Sequence, residues 1–234
     1  MIEVGDIMKN SLFFEHLEEQ SFEELFINNE YPYDVLLNLN NYIEEKTKNV
    51  VNTKQFNNVI IGEQCLIGNN CTIYPNVVIL GPVIIGDNVE IMSGAVIRPY
   101  SLIGDNCSIG HASEIKHSIL MNNAKVASLS FVGDSIIGYK SRIGSGTILS
   151  NRRFDQANVT LKYNDEKIDL KSAFFGSIVG DKSRLGAHVT TYPGTFIGHD
   201  TWIFPNTSVK GFIPSLKRVS TEKVTDNQEY DLKN

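Results

Sequence analysis

Isoleucine recurs at every sixth position between residues 61 and 115. The ten members of this series are Ile61, Ile67, Ile73, Ile79, Ile85, Ile91, Ile97, Ile103, Ile109 and Ile115. Two positions before each of them stands a small or β-branched residue: Val59, Cys65, Cys71, Val77, Val83, Val89, Ala95, Ser101, Cys107 and Ser113. A period of six matches neither an α-helix nor the two-residue alternation of a long strand. Self-similarity at a fixed period is typical of a solenoid, in which each repeat packs on the next.

Each six-residue unit supplies a short strand of roughly three residues, at about 3.3 Å per residue, and then a turn. One large apolar side chain and one small side chain per unit point inward. Glycine, asparagine and aspartate follow many of the apolar positions, as in Gly86-Asp87-Asn88, because tight corners need positive φ angles or close backbone approach. Three units close a triangular coil of 18 residues. The repeat therefore predicts an all-β solenoid, a parallel β-helix whose coils stack as parallel strands.

The six-residue period resumes twice after residue 115. It returns at Ile137, Ile143 and Leu149, and again at Val179, Leu185, Thr191, Ile197, Ile203 and Val209. The three series contain nineteen units, a little over six coils. They place the β-helix at residues 51–212.

Two segments interrupt the period. Residues 116–136 shift its phase by four residues, because Ile115 and Ile137 are 22 rather than 18 positions apart. Residues 150–176 form a longer insertion, in which Val159–Tyr163 and Lys167–Leu170 predict a β-hairpin. Insertions in a regular solenoid gather where ligands bind, so we expect the functional site near these segments.

The ends of the chain differ from the solenoid. Residues 1–50 predict a helix that begins at Pro32. Its apolar residues at helical spacing are Val35, Leu36, Leu39, Tyr42 and Ile43. We interpret residues 1–50 as a helical N-terminal cap over the open apolar end of the first coil, with a partner-docking helix as the alternative. Residues 213–234 are interpreted as a C-terminal tail.

Composition argues against several classes of protein. The formal net charge of −6 disfavours a general binder of nucleic acids or anionic membranes. No apolar run approaches the roughly 20 residues that span a bilayer, and residues 1–18 are too acidic for a signal peptide. The cysteines, Cys65, Cys71 and Cys107, all occupy the small inward position. Since Cys71 and Cys107 stack two coils apart, too far for a disulfide, the thiols predict a reduced, cytoplasmic protein.

Arg98 and Lys116 are one predicted coil apart and occupy the same outward position of the same wall. Their backbones are therefore expected about 4.8 Å apart, which brings two cations side by side. Like charges at that spacing are destabilising, and a phosphate between them would relieve the repulsion. The alternative is that Glu114 or Asp134 neutralises the two cations as part of a surface ladder.

Four further cations, Arg142, Arg152, Arg153 and Lys171, surround the insertion. In a chain of net negative charge they extend the predicted anion site, and ordinary solvated surface residues are the alternative.

The five histidines do not predict a metal site. His111 and His117 are one unit apart, so they belong to consecutive walls and do not face each other. His188 and His199 lie in the last coils, and no pair has the short spacing of a preformed site. We therefore expect no metal. His117 is the histidine of most interest, because it adjoins Lys116 and the phase shift.

The order of several short motifs resembles a known family. The motifs are Ile97-Arg98-Pro99, Glu114-Ile115-Lys116, Val132-Gly133-Asp134-Ser135, Ile143-Gly144-Ser145-Gly146-Thr147, Asn151-Arg152-Arg153-Phe154-Asp155, Ile178-Val179-Gly180-Asp181 and Tyr192-Pro193-Gly194. They are similar to hexapeptide-repeat transferases with a left-handed β-helix. The resemblance is strongest to the acetyltransferase domain of bifunctional sugar-1-phosphate nucleotidylyltransferases/glucosamine-1-phosphate N-acetyltransferases. It covers about residues 55–212 and implies a left-handed parallel β-helix.

The resemblance implies a homotrimer with sites in clefts between neighbouring prisms. It places acetyl-CoA along the C-terminal coils and lets the insertion reach over the neighbour. It also implies that Arg98 and Lys116 hold a sugar phosphate and that Asn151 contacts the substrate. The 234 residues show no counterpart of the family's nucleotidylyltransferase half, so a separate nucleotidylyltransferase is a candidate partner.

Three positions depart from the family pattern. Ser128 stands where the family has its general-base histidine, Phe131 replaces a substrate-contacting tyrosine, and Arg142 replaces an asparagine. An unassisted serine hydroxyl cannot serve as the base for an amine nucleophile. Either His117 or His111 takes over that role, or the acceptor and the reaction differ, or the site is no longer catalytic.

These observations favour an acyl-CoA-dependent transferase, with acetyl-CoA as co-substrate and an amino sugar or sugar phosphate as acceptor. Besides the residues named for phosphate and sugar, the predicted site contains Arg142, Arg152 and, as candidate base, His117. The alternative is a non-catalytic module that binds a sugar phosphate or nucleotide sugar and partners a nucleotidylyltransferase. A zinc hydratase of similar architecture is a third hypothesis.

Overall fold

The computed structural model describes residues 9–51, 54–163 and 166–221. From residue 60 to residue 219 the chain forms a parallel β-helix with three flat walls, each an eight-stranded parallel sheet. Strands that follow one another along the chain belong to successive walls, so neighbours within a sheet are one coil apart. The predicted solenoid is confirmed.

The first wall consists of β1 (Ile60–Ile61), β4 (Val78–Ile79), β7 (Val96–Ile97), β10 (Glu114–Lys116), β13 (Phe131–Gly133), β16 (Ile148–Leu149), β21 (Thr190–Thr191) and β24 (Ser208–Val209). The second wall consists of β2 (Cys65–Ile67), β5 (Val83–Ile85), β8 (Ser101–Ile103), β11 (Ile119–Leu120), β14 (Ile136–Ile137), β19 (Ser177–Val179), β22 (Thr195–Ile197) and β25 (Phe212–Ile213). The third wall consists of β3 (Thr72–Ile73), β6 (Glu90–Ile91), β9 (Ser108–Ile109), β12 (Lys125–Val126), β15 (Arg142–Ile143), β20 (Arg184–Leu185), β23 (Trp202–Ile203) and β26 (Arg218–Val219).

The interior of the prism is a column of stacked apolar side chains. The isoleucines of the series are buried from Ile67 onward, and Ile79 and Ile97 are fully inaccessible. Serine and threonine fill many of the small inward positions, where their hydroxyls donate to a carbonyl of the next coil, as Ser113 Oγ does to Ala127 O over 2.8 Å. Each buried isoleucine stabilises the fold by roughly 1.5–3 kcal/mol relative to an exposed one. Side-chain stacking therefore holds together strands that are too short to be stable alone.

The solenoid is longer than the sequence predicted. Each wall contains eight strands, whereas the isoleucine series indicated a little over six coils. Three of the additional strands, β11, β12 and β13, lie within residues 116–136, which continue the β-helix with a changed period. The other two are β25, which begins at Phe212, the last residue of the predicted β-helix, and β26, which lies in the segment interpreted as a tail.

All differences in coil length fall at the first corner, where the chain passes from the first wall to the second. Glu114 pairs with Phe131, 17 rather than 18 positions later. The corners that follow Lys116 and Gly133 are each one residue short. Ile115 and Ile137 are therefore four units apart with two residues missing, which gives the 22 positions counted in the sequence. Residues 150–176 are inserted at the next corner of the same edge. Every departure from the repeat is thus collected along one edge of the prism.

The N-terminal helices lie along a wall, and the predicted position over the end of the prism is wrong. Two 3₁₀ turns, Asn10–Leu12 and Leu17–Glu19, and two helices, α1 (Glu23–Ile27) and α2 (Pro32–Thr47), pack on the outer face of the second wall. The outward residues of that face are apolar: Ile84, Leu102, Ile119, Ile136, Ile178, Phe196 and Phe212. An apolar outer face must be covered, and the amphipathic helices cover it. None of the helices in the described ranges combines the length and the apolar character that crossing a bilayer requires.

The first coil is covered by a shorter segment. Phe56 packs against the core at that end of the prism. Lys54 Nζ donates to the carbonyl oxygens of Ile67, at 2.7 Å, and of Gly68. Residues 54–56 thus cover part of the apolar end for which the sequence predicts a helical cap.

The predicted hairpin is present in the insertion. Its strands are β17 (Thr160–Tyr163) and β18 (Glu166–Asp169), paired antiparallel. Val159, Leu161 and Leu170 are buried in the same cluster as the N-terminal helices. The apolar side chains of the insertion therefore pack on their own chain.

A ladder of side chains follows the second corner, between the second and third walls. Asp105 Oδ1 accepts from the amide of Asp87 in the preceding coil, and Asn122 Oδ1 accepts from the amide of Asp105, both over 2.7 Å. Tyr139 occupies the next position of the ladder and has no such acceptor. Gln20 supplies the missing acceptor, because Oε1 of Gln20 accepts from the amide of Asn122 at 2.8 Å.

Asp181 fastens the N-terminal segment to the same corner. Its carboxylate is fully buried and accepts from the amides of Tyr139, Glu15 and His16 at 2.7, 2.8 and 3.2 Å. Burial raises the pKa of Asp181 to about 6 against the opposing effect of these hydrogen bonds. One buried carboxylate thus joins the solenoid to the segment that precedes the helices.

Candidate active site at the first corner

Two shortened corners bring a histidine and an aspartate together. His117 and Asp134 each follow the last residue of a first-wall strand, and their φ angles are positive, 44° and 48°. The corners stack in neighbouring coils, so Nδ1 of His117 lies 2.9 Å from Oδ1 of Asp134. Lys116 Nζ and Asn151 Nδ2 reach the other carboxylate oxygen at 3.1 and 2.6 Å.

Asp134 is nearly buried, with 7% of its side chain exposed. Burial by itself would raise the pKa of Asp134, but hydrogen bonds from His117 and Asn151 and the charge of Lys116 outweigh it, so the pKa lies below its ordinary value. The aspartate is therefore ionised at neutral pH. Because Oδ1 accepts from Nδ1–H, the ring nitrogen left to accept a proton is Nε2 of His117. An aspartate fixes the tautomer of a general-base histidine in this way.

The pair remains accessible. The side chains of His117 and Lys116 are 23% and 22% exposed. Tyr100, one coil earlier at the same corner, lies edge-on to the His117 ring at 6.4 Å between centroids. The Tyr100 hydroxyl donates to Glu44 of α2 over 2.8 Å. A helix on the second wall thus supports a ring that contacts the histidine.

Arg98 and Lys116 are neighbours on the first wall, as the 18-residue coil predicts, since the amide of Arg98 donates to the carbonyl of Ile115. Each cation has its own carboxylate. Arg98 Nη1 lies 2.8 Å from Glu114 Oε1, and Lys116 pairs with Asp134. The surface-ladder alternative therefore describes the two side chains in this structure, and their charges are balanced before any ligand binds.

Phe174 connects Lys116 with the insertion. The centroid of its ring lies 4.4 Å from Lys116 Nζ and 4.9 Å from Arg152 Cζ. Arg152 also forms an antiparallel bridge with Phe174, which holds the base of the insertion together. Of the residues predicted for the site, the structure gathers Lys116, His117, Asn151 and Arg152 at the first corner.

A cleft of about 980 Å³ opens between the insertion and the last coils of the first wall. Its cations are Arg152, Arg153, Lys162 and Lys210, and its aromatic residues are Phe154, Tyr192 and Phe212. Among the lining residues that the structure describes, Asp155 is the one carboxylate. Its hydrogen bonds from Arg153 lower the pKa of Asp155 to about 2. The cleft is therefore predominantly cationic.

Arg142 does not belong to this cluster. It is exposed on the third wall, in one column with Lys125 and Arg184 of the neighbouring coils. Lys116 is on the first wall, so within one chain the two predicted binding residues do not share a surface.

Ser128 and His111 lie at the third corner, between the third wall and the first. The amide of Leu129, next to Ser128, donates to the carbonyl of His111 over 2.8 Å. Nδ1 of His111 lies 2.6 Å from Ser93 O. The two histidines considered as substitutes for the family's base thus stand at opposite edges of the first wall, and His117 is the one with a buried carboxylate partner.

Sequence reasoning missed two parts of this site. The sequence predicts a charge-neutralising role for Asp134 beside Lys116 but not its bond to His117. The available signal was the 17-residue spacing of His117 and Asp134, which acquires meaning once the shortened corners are known. Phe174 follows the hairpin and carries no periodic signal.

Two family models match the chain. The model described as the hexapeptide repeat of succinyl-transferase matches residues 58–99. The model described as the GMPPB C-terminal domain matches residues 79–164. Both matches fall within the solenoid, and the second includes the shortened corners.

Several curated relatives are similar in sequence. The bifunctional protein GlmU of Methanococcus aeolicus is 38% identical over 209 residues, which cover 87% of this chain and 50% of the relative. The bifunctional sugar-1-phosphate nucleotidylyltransferase/acetyltransferase of Sulfurisphaera tokodaii is 36% identical over 101 residues, 43% of this chain and 25% of the relative. The uncharacterized acetyltransferase YaiX of Escherichia coli is 33% identical over a stretch that covers 46% of this chain and 46% of the relative. The chain spans half or less of the length of these relatives.

Solved structures are more distant. UDP-N-acetylglucosamine acyltransferase from Arabidopsis has a TM-score of 0.42 at 18% identity, covering 72% of this chain and 69% of that one. The polysialic acid O-acetyltransferase OatWY has a TM-score of 0.26 at 17% identity, covering 69% and 85%.

Proposed function

Because the chain belongs to the hexapeptide-repeat family of left-handed β-helix transferases, we propose that it transfers an acyl group from acyl-CoA to an amino sugar or sugar phosphate. Acetyl-CoA is the expected donor. The names of the relatives, which include a sugar-1-phosphate nucleotidylyltransferase/acetyltransferase, support this acceptor class. One observation carries the proposal: the accessible His117–Asp134 pair, with Lys116 and Asn151 on the same carboxylate.

The pair supplies the base that an amine or hydroxyl nucleophile needs. As the acceptor attacks the thioester carbonyl carbon, Nε2 of His117 takes its proton, and the ionised Asp134 stabilises the imidazolium. The carbon–sulfur bond then breaks, and His117 returns the proton to the departing CoA thiolate. Backbone N–H groups at the coil edges are the candidate donors for the oxyanion.

The neighbouring residues orient the acceptor in this proposal. Lys116 and Asn151 lie next to the base, and Arg98 lies one coil away. Arg152 adds positive charge beside the Phe174 ring. Arg142 is assigned to a site completed by a second chain, because it lies on the third wall.

The family resemblance supports a homotrimer and a separate nucleotidylyltransferase as partner. The N-terminal helices occupy the second wall, which leaves the first and third walls for neighbouring prisms. A cytoplasmic location is proposed from the core thiols. Burial raises the pKa of Cys65 to about 11 and that of Cys107 to about 12, as expected for inert thiols of a reducing compartment.

The test is release of CoA by the purified protein. Acetyl-CoA is supplied with glucosamine-1-phosphate and a panel of free and phosphorylated amino sugars. We expect turnover with a phosphorylated acceptor, and Lys116→Ala should lower kcat/KM about 10- to 100-fold. Lys46→Ala, which removes a cation that is paired with Glu24 on the N-terminal helices, is the matched control. The proposal fails if no acceptor supports CoA release.

A second candidate function is binding of a sugar phosphate or nucleotide sugar without turnover. It is favoured by Ser128 and Phe131, which replace the family's base histidine and a substrate-contacting tyrosine. This alternative expects measurable ligand binding and no CoA release. The two functions are therefore separated by one assay with a saturating acceptor.

A further inference from the structure

We infer that Tyr100 is a positioning residue for His117 and that α2, through Glu44, holds Tyr100 in place. The N-terminal helices thereby act on the candidate base in addition to covering the second wall. The inference rests on the proposed transferase function and adds to it two residues that do not touch the reacting atoms.

His117 is held between two neighbouring coils. On the side of the next coil, Nδ1 of His117 lies 2.9 Å from Oδ1 of Asp134. This single hydrogen bond selects the tautomer of the ring but leaves the ring free to swing about the bonded atoms. On the side of the preceding coil, the ring lies edge-on to Tyr100, at 6.4 Å between centroids. The contact with Tyr100 therefore limits the direction in which Nε2 points, and a general base needs that direction to be fixed.

Tyr100 adopts a backbone conformation that is unfavourable for a large side chain. Its φ angle is 60°, in the left-handed region. At the second corner this conformation belongs to Asn88, Asn106 and Asn123, whose short polar side chains tolerate it. A bulky residue persists in such a conformation only where its surroundings hold it, and residues of this kind cluster at functional sites.

Glu44 supplies a contact that holds Tyr100. The Tyr100 hydroxyl donates to Glu44 Oε1 over 2.8 Å, and this hydrogen bond to a carboxylate raises the pKa of Tyr100. Hydrogen bonds to an ionised partner are stronger than those between neutral groups. The bond joins a helix outside the solenoid to the corner next to that of His117.

A second contact fixes the other end of α2. Lys171 Nζ, in the insertion, lies 3.4 Å from Asp34 Oδ1. Asp34 and Glu44 are ten residues apart, which is about 15 Å along a helix. Three coils separate the corner of Tyr100 from the corner of the insertion, about 14 Å at the usual strand spacing. The helix is therefore anchored on both sides of the two shortened corners that form the candidate site.

Substitutions of the two residues test the inference through the rate of CoA release by the full chain. Tyr100→Ala should lower kcat about tenfold and Glu44→Ala about threefold. KM should stay unchanged, because neither residue is assigned a contact with the acceptor. Glu44→Gln keeps an oxygen that accepts from the tyrosine hydroxyl and should retain most of the wild-type rate.

Lys46→Ala is the matched control, because it removes the ion pair with Glu24 from the same helix and leaves the first corner untouched. Its rate should equal that of the wild type. Equal rates in the wild type, Tyr100→Ala and Glu44→Ala would overturn the inference. Equal losses in Lys46→Ala and Glu44→Ala would also overturn it, since any loosening of α2 would then have the same effect.

The ring of His117 provides a readout that does not depend on turnover. In nuclear magnetic resonance spectra of the chain with isotope-labelled histidine, its signal is the one missing from His117→Gln. Glu44→Ala is the informative variant, because it leaves the tyrosine ring in the chain. The His117 signal should shift in Glu44→Ala and stay in place in Glu44→Gln and Lys46→Ala. A shift in Lys46→Ala, or none in Glu44→Ala, would contradict the positioning role.

The two measurements separate this inference from the function on which it rests. CoA release that is insensitive to Glu44→Ala, together with an unshifted His117 signal, overturns the positioning role and leaves the transferase function standing. Absence of CoA release with every acceptor contradicts the transferase function. The His117 signal then decides the positioning role by itself.

Discussion

The imidazole of His117 and the carboxylate of Asp134 meet because their corners are each one residue short. At the preceding, full-length corner the positive φ angle belongs to Tyr100, two residues after the strand-end position of Arg98. In the shortened corners it belongs to the residue immediately after the strand. Removal of one residue therefore places the histidine beside Lys116 and stacks it on the aspartate of the next coil.

Replacement of the histidine tests the assignment of the base. His117→Gln retains a polar side chain but cannot take the proton, so kcat should fall about 100- to 10,000-fold. His111→Gln at the third corner is the matched control and should stay near the wild-type rate. CoA release is measured for both variants, with thermal unfolding to show that each is folded. The reverse pattern would place the base at the other edge of the first wall.

The ionisation of Asp134 should make the free energy of unfolding depend on pH. Its folded pKa is lowered, so its contribution is present above the unfolded value of about 3.9 and is lost as pH falls through the lower folded value. The free energy of unfolding of the wild type should therefore decrease below about pH 4. Asp134→Asn should show a shallower decrease and lose about 1–3 kcal/mol at neutral pH. Denaturant titrations at several pH values give both quantities, and identical slopes would contradict the role of this carboxylate.

Restoration of the family's histidine separates the two candidate functions. If His117 is the base, Ser128→His should change kcat by less than about tenfold, because the third corner is then not used for proton transfer. A gain of two orders of magnitude or more over an inactive wild type would support the binding module with a decayed site. Steady-state rates of CoA release for the two proteins are the measurement.

Asp181 should hold the N-terminal segment in place. In Asp181→Asn the new amide group faces backbone N–H donors, so the amides of Glu15 and His16 should exchange hydrogen faster. Asp105→Asn is the matched control, because Asn122 already serves at the next position of the ladder. Hydrogen exchange followed by mass spectrometry reads out both variants. Equal protection of residues 13–20 in the wild type and in Asp181→Asn would exclude the proposed role.

Several parts of this protein could be predicted from the sequence because a fixed number of residues per coil determines which residues become neighbours. The neighbouring backbones of Arg98 and Lys116 follow from an 18-residue coil, and the hairpin at β17 and β18 follows from local strand and turn signals. The position of the N-terminal helices did not follow. Their apolar faces suit either the end of the prism or the second wall, and the apolar outward residues of that wall decide between the two.

The order of residues alone determined a stacked β-helix, since burying one isoleucine per unit in a single column leaves few other folds for this period. The tertiary structure decided which side chains share a corner. The sequence shows that the period shifts within residues 116–136, but not at which corner each residue is missing, and that position decides the new neighbours of the side chains. The His117–Asp134 bond, the separate carboxylates of Arg98 and Lys116, and the cleft beside the insertion all depend on such contacts between coils.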